Sequence, residues 1–80
     1  MKYTINTTSQ SDETLNVNVT YTMNDGSELI LDVPIFAPQN ADDVTTGIEN
    51  RALSEQAKID RTKVVENIID EIPVGEVITI

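Results

Sequence analysis

The functional groups plentiful enough to do chemistry in this chain are carboxylates. Three pairs stand adjacent in sequence: Asp12–Glu13, Asp42–Asp43 and Asp70–Glu71. Acid–base work of the glycosidase kind needs two carboxylates facing each other across a cleft, one with a raised pKa. Adjacent residues point in different directions, and 80 residues leave no second lobe to wall a cleft. Loop solvation, helix-start electrostatics and a solvated helix face are the simpler roles for the three pairs. Ser9, Ser11, Ser27 and Ser54 are the available hydroxyl nucleophiles, but the chain has no His to activate them and no Gly-rich phosphate loop.

The triplet Asn24–Asp25–Gly26 resembles the centre of a calcium loop. The alternate positions that should carry oxygen ligands before that glycine are Tyr21 and Met23, which suit a strand face instead. With no Cys and no His, disulfides and zinc sites of the usual donor set are excluded. No catalytic, cofactor-binding or metal-binding residue is expected, and the chain reads as non-enzymatic.

Charge narrows the partners. Fourteen acidic residues against 5 basic ones give a net charge of -9, which repels nucleic acid and anionic membranes. Mimicry of a phosphate backbone would want an uninterrupted acidic face. Here the acids are dispersed, and Arg51, Lys58, Arg61 and Lys63 lie among Glu49, Glu55, Asp60 and Glu66. Glu55 and Lys58 are spaced to stabilise a helix surface. The opening residues Met1–Asn6 lack an apolar signal core, and apolar runs such as Leu29–Leu31 are too short to span a bilayer. The expected location is the cytoplasm, or a virion assembled there.

The elements that would position these groups begin with strands. Tyr3, Ile5 and Thr7 alternate with polar neighbours, and Thr8–Glu13 has loop composition. Leu15, Val17, Val19, Tyr21 and Met23 then alternate with Asn16, Asn18, Thr20, Thr22 and Asn24, which describes a strand with one buried face. Leu29, Leu31, Val33 and Ile35 continue the pattern. Inward residues are odd-numbered on both strands. A two-residue Asp25–Gly26 loop would therefore pair opposite faces. A three-residue Asn24–Asp25–Gly26 loop pairs Tyr21 with Leu29, Val19 with Leu31 and Val17 with Val33, with Gly26 in the left-handed region.

Asn40 is placed to cap a helix, with Asp42 and Asp43 in its first turn. From Ala41 to Ile72 the composition is helical but carries two apolar stripes. Ala41, Val44, Ile48, Ala52 and Ile59 form one; Val64, Val65, Ile68, Ile69 and Ile72 lie on nearly the opposite side. One straight helix cannot bury both against one sheet. Either it breaks near Asp60–Thr62, or its second face meets another chain. Pro73 and Gly75 stop the helix, and Glu76–Ile80 reads as a last strand.

The expected fold is a single α+β domain over residues 1–80, of order β-β-β-α-β. The function expected is that of a structural or interaction subunit of a larger protein assembly, of the kind of a bacteriophage capsid or tail accessory protein. Its partners are proteins or further copies of itself, met through Val64, Val65, Ile68, Ile69, Val77, Ile78 and Ile80. The alternative is a small acidic inhibitor that blocks a nucleic-acid-binding or enzyme site.

Overall fold

A computed structural model describes all residues, Met1–Ile80. Three strands, β1 (Lys2–Ser11), β2 (Thr14–Thr22) and β3 (Glu28–Phe36), precede one helix, α1 (Ala41–Glu71). The sheet is antiparallel in the order β1-β2-β3. The class is α+β.

The β2–β3 hairpin has the register that its alternation demands: Tyr21 opposite Leu29, Val19 opposite Leu31 and Val17 opposite Val33. Met23 N–H donates to the Ser27 carbonyl at 2.8 Å and Gly26 N–H to the Met23 carbonyl at 3.0 Å, leaving a three-residue loop. Gly26 has φ 85°, where a side chain would be strained. The Asp25 carboxylate accepts from the Ser27 amide and hydroxyl at 3.0 and 2.6 Å.

β1 corrects two expectations. Thr8–Ser11 is not loop: these residues pair with β2 as far as Ser11 opposite Thr14, so the turn is only Asp12–Glu13. Asp12 takes φ 51°, a left-handed conformation that Asp tolerates better than most residues. Thr7 is not inward either. The register shifts between Ile5 and Thr7, so Thr7 lies opposite Asn18 while Thr8 and Gln10 come opposite Val17 and Leu15. One extra residue at a bulge reverses the alternation beyond it. On the outer face, Asn6 Nδ2 donates to Asn18 Oδ1 and Thr20 Oγ1, and Asn18 Nδ2 to Asp32 Oδ1, a polar ladder across all three strands.

Asn40 caps α1 as expected, its side chain accepting from the Asp43 amide at 3.0 Å. The Asp43 carboxylate reaches back to the Gln39 amide at 2.8 Å. The core is small: Val17, Val19, Tyr21 and Met23 from β2, Val33 and Ile35 from β3, and Ile48 and Ala52 from α1. Gly47 sits so near β3 that a methyl group there would lie 2.9 Å from Ile35 Cδ1, which lets the helix approach closely. Tyr21 Oη donates to the buried Ile48 carbonyl at 2.9 Å.

The helix does not break at Asp60–Thr62. Thr62 Oγ1 donates to the Lys58 carbonyl at 2.9 Å, a bond made within a continuing helix. Thirty-one residues rise about 46 Å. A nine-residue strand covers about 30 Å, so the helix overshoots the sheet. That overshoot explains the remaining correction, for Glu76–Ile80 forms no strand and α1 is the last element. Ile72, extended ahead of Pro73, ends the helix beyond the reach of the sheet, and the residues that follow have no edge to pair with. The molecule extends 60 × 26 × 17 Å, with a radius of gyration of 18.7 Å. About 12 Å is usual for a compact chain of this length.

Candidate interaction surface

The end of α1 beyond Ile59 is an arm with no buried residue. Packing against the sheet fades after Ile59, which is partly buried against the core. From Arg61 onward every residue is exposed. The arm is helical because Val64–Glu71 contains no Gly or Pro and continues a helix already anchored at Ile48 and Ala52.

At 100° per residue, Val64, Val65, Ile68, Ile69 and Ile72 fall within an arc of about 140°. Each keeps half or more of its surface in water, from 50% at Ile68 to 62% at Ile69. Lys58 and Arg61 continue the same arc toward the sheet, and Glu71 borders it at the far end. Asp70 and Glu71 occupy the last turn, which holds no basic residue. That is the negative end of the helix dipole, where carboxylates are destabilising unless a cation lies near.

The structure places the predicted surface residues in two groups. Val64, Val65, Ile68 and Ile69 share the arm's apolar face. Val77, Ile78 and Ile80 follow the turn at Pro73 in an exposed segment without helix or strand, with Val77 almost wholly in solvent. Val74 adds to this second group. On the sheet, Ile30 and Phe36 are exposed on β3, and Leu53 is exposed on the sheet-bound half of the helix.

The carboxylate pairs stay apart. Asp12 and Glu13 line an open cleft of about 500 Å³ between the first turn and Ala37–Gln39, a hollow with no other ionisable group. Asp43 is spent on helix capping. Glu55 is the best-paired acid: its Oε1 accepts from Arg51 Nε at 3.0 Å and Lys58 Nζ at 3.2 Å, and these bonds hold its pKa below the ordinary carboxylate value. The bonds from Ser27 likewise lower the pKa of Asp25. Burial raises that of the Tyr21 phenol. No three His, Cys, Asp or Glu side chains converge as a metal site would require, and no helix is long and apolar enough to cross a membrane.

One residue of structural weight escaped the pattern of apolar spacing. Gln56 is buried; its Oε1 accepts from the Asn24 amide at 3.1 Å, and its Nε2 donates to Asp60 Oδ1 at 3.0 Å. It ties the β2–β3 loop to the helix. Its place between Ala52 and Ile59 on the core stripe is the signal that could have found it. Compared with known protein families, with curated proteins and with solved structures, the chain matches none.

Proposed function

We propose that the chain is a non-enzymatic interaction subunit of a larger protein assembly, which it joins through the helical arm. The observation that carries this is surface. The chain exposes 6086 Å². A compact monomer of 8.8 kDa exposes about 4,800 Å². The apolar arm and the segment after Pro73 contribute to this excess. Covering the exposed halves of five aliphatic side chains is worth about 5 kcal/mol, a contribution that offsets part of the cost of association. Such a subunit suits the cytoplasm or a particle assembled there, since it has no Cys and needs no oxidising compartment. Within that class, a capsid or tail accessory protein of a virion is the specific role proposed.

Sedimentation of the native chain in an extract of the cells that make it, or of the particles they release, tests the proposal. The chain is expected to travel with a larger complex that resists raised salt, and V65N/I68N to return it to the position of the free subunit. Migration of the unmodified chain as a free 8.8 kDa subunit refutes the proposal. Release by salt alone supports an acidic inhibitor instead, since screening weakens exposed charge contacts far more than apolar ones.

A further inference from the structure

We infer that the arm is covered by a second copy of this chain, the two helices crossing antiparallel through Val64, Val65, Ile68 and Ile69. The inference rests on the interaction function proposed above and names its partner.

Order of charge is the first ground. Along the arm's apolar arc the cations come first, Lys58 and Arg61, and the acid that borders it, Glu71, comes last. A two-fold axis near Glu66–Asn67 sets Val65 against Ile68 and Val64 against Ile69 of the other copy. It brings Arg61 level with the second copy's Glu71 to within about 2 Å along the axis, at 1.5 Å of rise per residue. A parallel pair would instead set Arg61 beside Arg61 and Glu71 beside Glu71.

The last turn supplies a second ground. Asp70 and Glu71 sit at the negative helix end with no cation of their own chain in that turn. The antiparallel copy delivers Arg61 to that place, and its aliphatic stem can lie over Ile72 while the guanidinium reaches Glu71.

The surface in excess of a compact monomer is about 1,300 Å² per chain, divided between the arm and the segment after Pro73. Pairing through the sheet is the less suited route. β1 carries a bulge between Ile5 and Thr7, and β3 carries Pro34, two features that blunt sheet edges.

The test combines light scattering over a concentration series with small-angle scattering on the purified chain. A reversible dimer is expected. R61E or E71R alone should weaken it about tenfold, and R61E/E71R together should restore it, since both residues are exposed and neither supports the core. V65N/I68N should abolish it while leaving the helical circular dichroism of the anchored half. A dimer that the charge exchange fails to rescue overturns the antiparallel pairing. A monomer at all concentrations with a radius of gyration near 18.7 Å overturns self-pairing and leaves the interaction function standing. A monomer near 12 Å, the compact value, overturns both, because the arm would then be folded onto its own sheet.

Discussion

The same deletion made at two sites on one helix separates the anchored half from the arm. Ile48 is fully buried against β2 and β3, whereas Ile68 is 50% exposed. Ile48→Ala removes three carbons from the core and leaves a cavity, at a cost of about 2–5 kcal/mol. The whole stability of 80 residues is only about 4–12 kcal/mol. Each kcal/mol moves Tm by about 4–8 °C in a domain of this size, so I48A should lower Tm by at least about 8 °C or prevent folding. Ile68→Ala opens no cavity in the monomer and gains helix propensity of a few tenths of a kcal/mol. Melts followed at the helical circular dichroism band, in protein dilute enough to be monomeric, should show I68A within about 3 °C of the unmodified chain. As the concentration rises, the unmodified chain should gain Tm and I68A should lag behind it. An I68A variant that loses as much as I48A at every dilution would falsify the placement of the arm outside the core.

Gly26→Ala should cost about 1 kcal/mol, read as a fall in urea midpoint at constant slope, because φ 85° strains any side chain although the space around it is open. Glu55 and Asp25 have lowered pKa values, so their contribution to stability is present above the unfolded carboxylate value and is lost as pH falls through the folded one. Tm should therefore decline below about pH 4.5 in the unmodified chain, and E55Q should flatten the upper part of that decline relative to it. Tyr21 has the opposite sign. Its raised pKa gives stability that is complete below the unfolded value of 10.0 and lost as pH rises through the folded one, so Y21F should blunt alkaline unfolding. At neutral pH, Y21F should cost about 1 kcal/mol for the bond to the Ile48 carbonyl, measured by urea titration.

The β2–β3 hairpin is legible in the sequence because two constraints meet there. Val17, Val19 and Tyr21 must face inward together with Leu29, Leu31 and Val33, and only one loop length lets them. The cap at Asn40 is legible for a local reason, since its partner is three residues away. The bulge in β1 is not, because Thr7 and Thr8 are alike in type and nothing in them marks which one turns outward. Thr8–Ser11 resembles loop because its residues are polar, yet β2 supplies the ladder that holds it in the sheet. Glu76–Ile80 shows the converse. Its residues favour strand, but a strand needs a neighbour, and the distance to one depends on where a 31-residue helix ends. The two stripes of the helix posed the choice between a break near Asp60–Thr62 and a second face that meets another chain. The helix is unbroken, which rules out the first and leaves the second stripe exposed.

Continuity of the helix past Ile59 has a kinetic consequence. A segment as short as Arg61–Glu71, cut free, would spend most of its time unwound, because starting a helix is costly. Here Ile48 and Ala52 have already set the first turns, so the arm only lengthens an existing helix and never has to start one. It should fray from Glu71 backward, with amide exchange slowing residue by residue toward Ile59. Whatever docks on it meets a preformed rod rather than a coil, avoiding the ordering entropy that a disordered tail would lose on capture.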